Sequence, residues 1–146
     1  MSMTWRRSLA VLGAAALAVA AQAAERTWNG GGADLNWSTA GNWGGTAPVS
    51  DDALFFGGTA KAVNTNDIAG LAIAGLTFNS GAVGFTLAGN GLTLGGHLVN
   101  NDNDTQTVNL PLTLVTTGQF NTVSGPVTVN GANRGGGGFN KEGGHP

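Results

Sequence analysis

One three-residue phrase, apolar–Thr–apolar, recurs through the second half of the chain. It stands at Leu76-Thr77-Phe78, Phe85-Thr86-Leu87, Leu92-Thr93-Leu94, Leu112-Thr113-Leu114 and Val127-Thr128-Val129. In extended backbone successive side chains point to opposite faces, so each copy sets two apolar side chains on one face and Thr on the other. Between the early copies lie Asn79-Ser80-Gly81 and Gly89-Asn90-Gly91. Both suit turns that need positive φ. A unit this short cannot bury its apolar face alone and must stack on its neighbours. The repeat therefore predicts an all-β chain, the start of a right-handed parallel β-helix or solenoid, with Thr and Asn stacked in ladders between rungs. The alternative is a β-sandwich, which calls for longer alternating strands and more Lys on its edges.

Composition agrees with strands closed by tight turns. Gly supplies 26 of 146 residues, and charged residues only 10%, against about 25% in an average soluble chain. The Glu, Lys and Arg that favour helices are scarce. At 41% apolar the chain lacks the low hydrophobicity and high net charge of disorder. With no cysteine, neither a disulfide framework nor a thiolate metal site can be built. Stability must come from stacking or association.

The first residues read as an export leader. Arg6 and Arg7 precede an apolar run from Leu9 to Ala21, and Ala21-Gln22-Ala23 forms an A-x-A site. This is the order of a signal peptide over residues 1–23, cleaved between Ala23 and Ala24. The run is too short to span a bilayer, which takes about 20 apolar residues. Arg6-Arg7 touches the twin-arginine pattern without its usual polar lead, which favours the general secretory route. Without the two leader arginines, four basic residues face eight acidic ones. That balance leaves no basic patch for phosphates, so no nucleic-acid partner is expected. No transmembrane helix is expected in the mature chain.

Residues 24–56 form a Trp-rich head in which Trp28, Trp37 and Trp43 fall among Gly, Asn and Ser turns. No helical period appears there. Residues 57–131 carry the rungs. Residues 132–146 contain four consecutive glycines and no strand signal, and read as a disordered or truncated tail.

These residues together resemble the autotransporter-associated β-strand repeat proteins, large bacterial surface or secreted passengers. Four stretches carry the likeness. Thr27-Trp28-Asn29-Gly30 with Asn36-Trp37 and Asn42-Trp43 is similar to their Trp-rich head. Residues 48–56, PVSDDALFF, are similar to a Pro-x-x-x-Asp-x-Ala-x-Phe segment. Residues 73–94 and 105–114 are similar to their rungs. Gly138-Phe139-Asn140-Lys141-Glu142-Gly143 looks like the opening of the segment that follows in such proteins, after which the likeness stops. The resemblance implies the structural N-terminal segment of an exported, surface-displayed solenoid, adhesive in role and a fragment of a longer passenger. It implies a location at the cell surface or outside the cell, or the periplasm if retained.

Candidate chemical sites are few, and a non-enzymatic role without cofactor is expected. Asp51-Asp52 is the only adjacent acid pair. Neighbours in a strand point to opposite faces, which is wrong for a glycosidase pair across one substrate. They read better as turn caps ahead of a strand at Ala53. Asn101-Asp102-Asn103-Asp104 offers oxygens suited to Ca²⁺ but lacks EF-hand spacing. Asn29 to Asp34 touches a calcium-solenoid pattern once, where that motif works in tandem. His97 and His145 are the only histidines, short of the three or four ligands of a zinc site. Ser50 and Ser124 lack a nucleophile-elbow setting. Trp28, Trp37 and Trp43 have two readings. They close the open end of the first rung, where Trp buries a large area, or they stack on surface glycans as a carbohydrate-binding module. A polysaccharide-degrading β-helix enzyme is a weaker alternative, because only Lys61 and Arg134 lie between Arg26 and Lys141. Self-association through an open solenoid edge is also expected.

Overall fold

The structure is a computed structural model that describes residues 23–115, 119–135 and 140–142. The leader expected over 1–23 falls almost wholly outside the described residues. The strands are β1 (Glu25–Trp28), β2 (Ala53–Phe56), β3 (Val63–Asn66), β4 (Ala72–Ile73), β5 (Gly75–Phe78), β6 (Thr86–Gly89) and β7 (Leu92–Leu94). They continue with β8 (Leu98–Asn100), β9 (Gln106–Val108), β10 (Leu112–Leu114), β11 (Gln119–Thr122), β12 (Val127–Val129), β13 (Asn133–Arg134) and β14 (Asn140–Glu142). A single short 3-10 helix, Ala40–Trp43, interrupts the strands among the described residues.

Every described strand pairs in parallel with a strand one circuit away. Three sheets result, in the orders β1-β2-β5-β8-β11-β14, β3-β6-β9-β12 and β4-β7-β10-β13. The chain is thus a β-solenoid of about four turns, each turn giving one strand to each sheet. A sandwich is excluded by the parallel pairing of every strand. The repeated phrase explains one complete turn: its first three copies lie at β5, β6 and β7, one per sheet. Its Leu112-Thr113-Leu114 copy sits in register directly against Leu92-Thr93-Leu94. In the first sheet Leu54, Leu76, Leu98 and Phe120 form a column, each 22 positions after the last.

Side-chain alternation divides the inside from the outside. Leu54, Leu76, Leu98, Leu87, Val108, Leu92, Leu112, Leu94 and Leu114 fill the interior. Their Thr partners face outward and stack rung upon rung: Thr86 on Thr107 on Thr128, and Thr93 on Thr113. Such registered pairs add modest stabilisation on top of the burial. Asn enters the ladders differently, inside the corners. Asn66 accepts from the Ile68 N–H at 3.1 Å and donates to the Asn90 carbonyl at 3.0 Å. Asn100 accepts from the Asp102 N–H and donates to the Asp104 and Pro126 carbonyls. Gln106 accepts from the Phe85 N–H at 2.7 Å. Among the described residues no buried side-chain nitrogen or oxygen lacks a partner, as buried polar groups require.

The glycine content follows from the same stacking. Where the chain turns between sheets, one rung's backbone lies directly on the next. A Cβ on Gly131 would collide with the Leu110 carbonyl, and one on Gly96 with the Ala74 carbonyl. Neither needs an unusual φ; what each needs is the absence of a side chain.

Strand pairing extends into the C-terminal stretch. Asn133–Arg134 pairs with β10 and Asn140–Glu142 with β11, both in parallel. No apolar–Thr–apolar phrase stands at these positions for a sequence pattern to reveal. The preceding rung offers unpaired backbone groups, and those accept almost any side chains.

Candidate functional site

The most built part of the molecule is its N-terminal end. The head makes one irregular circuit over the first regular rung. β1 covers β2. Asn36 bridges in parallel to Thr65 of β3, with Trp37 N–H donating to the Thr65 carbonyl at 3.0 Å. Asp51 N–H donates to the Ala72 carbonyl at 2.8 Å, covering β4. The head thereby supplies partners to all three sheets, using loops where later rungs use strands.

Trp28, Trp37 and Trp43 lie within this circuit at 1%, 0% and 5% exposure. Their rings surround Phe56, with centroids 6.1, 5.6 and 5.6 Å from it. Trp43 meets both other indoles edge-on, at 5.2 and 5.8 Å. Phe78 and Phe85 continue the cluster into the next rung, 5.7 and 5.4 Å from Phe56. Each indole N–H finds an acceptor: Trp37 on Asn64 Oδ1 at 2.7 Å, Trp43 on the Trp37 carbonyl at 2.8 Å and Trp28 on the Ala60 carbonyl at 3.3 Å. This is the geometry of a cap. Stacking on a sugar needs an open ring face, and none of the three indoles offers one.

Polar side chains fix the loops that carry these rings. Asn42 is fully buried and holds the head together, accepting from Gly32 N–H and donating to the Asp34 and Asn36 carbonyls. Lys61, at φ 50°, donates to the Gly32 carbonyl. Asp34 accepts from the Asn36 N–H at 3.0 Å and the Thr39 hydroxyl at 2.9 Å, and these two bonds hold its carboxyl below the usual range. Ser38 donates its N–H and its hydroxyl to Asp67. Burial pushes the Asp67 carboxyl up, and the two Ser38 bonds outweigh it and bring it down.

The acid pair separates at the turn ahead of β2. Asp51 is exposed, at φ 73°, while Asp52 is fully buried. Asp52 Oδ2 accepts from Arg26 Nε at 2.8 Å and from Val49 N–H at 3.1 Å. Its Oδ1 accepts from Ala24 N–H at 3.0 Å. Burial raises the Asp52 carboxyl, and these donors, Arg26 first among them, bring it below the ordinary range. Asp52 is more than a turn cap: it ties β1 to the turn before β2. The sequence signal was present in Arg26, the sole basic residue of the head, but nothing in its spacing pointed to a partner 26 positions away.

The remaining candidates are ordinary loop residues. Asp102 accepts from Gly81 N–H and Asp104 N–H, each at 2.8 Å, which occupies both of its oxygens. Ser50 Oγ accepts from Ala72 N–H at 3.4 Å. Ser124 and His97 are exposed, and His145 lies outside the described residues. Among the described residues no three His, Cys, Asp or Glu side chains gather to hold a metal ion, and no helix is long and apolar enough to cross a membrane. No family model, no curated protein and no solved structure matches the chain.

Proposed function

We propose that this chain is the exported N-terminal segment of a surface-displayed, autotransporter-like β-solenoid, serving as a structural and adhesive scaffold rather than a catalyst. One observation carries the reading: a buried aromatic cap lies over all three sheets of a stack of registered parallel rungs. A cap over stacked rungs is what a solenoid scaffold needs to keep its core from water. The leader pattern and the family resemblance of the head and rungs support export and surface display. The engagement of Asp52 with Ala24, Arg26 and Val49 supports a structural role for the one buried acid of the head.

Surface display is tested with an epitope tag placed in the exposed turn at Asn90–Gly91, followed by antibody labelling and protease shaving of intact cells. Labelling without permeabilisation, and loss of the tag to external protease, is the expected result. A tag reached only after lysis would overturn the reading.

A further inference from the structure

The expected processing site and the buried carboxylate of the head meet at one point. Ala24 is anchored twice: its N–H donates to Asp52 Oδ1 at 3.0 Å, and its carbonyl accepts from Ala53 N–H at 2.9 Å. Ala23, one residue earlier, is exposed. The bond between them thus joins an accessible residue to a docked nitrogen.

We propose that hydrolysis of the Ala23–Ala24 bond turns this nitrogen into an α-ammonium that pairs with Asp52, making Asp52 the receptor of the mature N-terminus. The inference rests on the export reading above. In the step an endopeptidase that accepts small residues on the leader side adds one water across the bond. The C–N bond breaks and the hydroxyl joins the Ala23 carbonyl carbon. That acid ends as a carboxylate and the freed amine takes its proton, so no net proton is released. Before cleavage, Asp52 is a carboxylate paired to Arg26 at 2.8 Å with a neutral amide on its other oxygen. After it, the neutral donor carries a charge at the same 3.0 Å position. The charged groups on the elements packed here are Glu25 and Arg26 on β1, none on Ala40–Trp43, and Asp51 and Asp52 ahead of β2. Three acids against one base favour the added cation. Leader removal then strengthens the junction that closes the cap, which couples completion of the fold to export.

An α-amino group ordinarily titrates at about 7.7–8.0. A carboxylate in contact raises that value, by about one unit for a single close pair. A raised folded-state value gives stability that is fully present below about pH 7.7 and is lost as pH climbs through the folded value. The test uses the processed chain recovered from outside the cytoplasm, with its N-terminus sequenced, beside the same chain Nα-acetylated. The α-amino titration is followed by NMR of labelled Ala24, and thermal melts are taken from pH 6 to 10. The expected result is a titration about one unit above the ordinary value, with a melting advantage over the acetylated chain that closes as pH rises through it. Arg26→Gln removes the competing cation and shifts the titration further upward. An ordinary titration with equal melts at every pH would overturn the pairing while leaving the export reading intact. An N-terminus other than Ala24 on that material would overturn the pairing and the cleavage position, and recovery of the chain from the cytoplasm alone would overturn the export reading.

Discussion

Trp37 shows what one residue contributes here. Its ring is fully buried against Phe56 and Trp43, and its N–H is bound to Asn64, whose other end donates to the Lys61 carbonyl at 3.3 Å. Trp37→Ala removes that packing and strands a buried amide oxygen. The expected loss is about 3–5 kcal/mol, the range for deleting a large buried aromatic, read as a lower midpoint in denaturant with loss of the native tryptophan fluorescence. An unchanged midpoint would show the ring to be superficial. Asp52 gives a second residue-scale expectation, with the opposite dependence on protonation. Its carboxyl lies below the ordinary value of about 3.9 in the folded chain. Its contribution is therefore present above that ordinary value and disappears as pH falls through the folded one. Asp34 and Asp67 shift in the same direction, so both add to the acid limb of the melting curve. Asp52→Asn lowers the melt at pH 7 and makes the decline between pH 5 and pH 2 shallower than in the parent, which thermal melts across that range measure directly.

At the scale of elements, much of the solenoid was legible because one local rule generates it. An apolar–Thr–apolar phrase fixes which face of a strand is inside, and that alternation needs no knowledge of the partner strand. Five copies sufficed to mark β5, β6, β7, β10 and β12. Three of the strands that escaped the pattern carry polar inward residues: β3 with Asn64 and Asn66, β8 with Asn100 and β9 with Gln106. There burial is satisfied by corner hydrogen bonds that depend on rungs 21 to 26 positions away. The cap was legible as a cluster of Trp among turns. The Ala24–Asp52–Arg26 junction was not, because it joins two segments through side chains at non-repeating positions. The unit of the fold also makes a prediction. Phe120 stands in register below Leu98, 22 positions later. Excising residues 98–119 sets Phe120 in the place of Leu98 and keeps every inward residue inward. Excising only residues 98–108 joins chain halves out of phase with the circuit and puts a strand where a turn is needed. Circular dichroism and melting of the two variants should show a shorter, cooperatively unfolding β protein in the first case and loss of cooperativity in the second. Equal behaviour would mean that the rungs do not stack as registered units.

For the whole molecule, the difference between the head and β12, the last described strand of the second sheet, predicts directional association. At the N-terminal end β1, the Asn36 bridge and the Asp51 turn supply partners to all three sheets. At the other end the last described strand of the second sheet, β12, pairs with β9 alone, and its valines are only half-buried. A parallel edge with accessible backbone groups and unfilled apolar contacts is a template for another chain. Self-association should therefore run through this end and not through the cap. Lys on such an edge opposes pairing by placing charge where a second copy would sit. Thr128 is exposed and stands beneath Thr107 at the end of its ladder, and Asn130 is exposed two positions on. The double variant Thr128→Lys, Asn130→Lys should leave the cap and its fluorescence unchanged. It should also move the onset of association, followed by sedimentation velocity over a concentration series, to higher concentration. Lys placed instead at Thr46, an exposed position in the head loop without a positive φ, should leave association as it is in the parent. If the head substitution relieved association and the C-terminal pair did not, the β12 edge would be the wrong surface and the direction of stacking would be reversed.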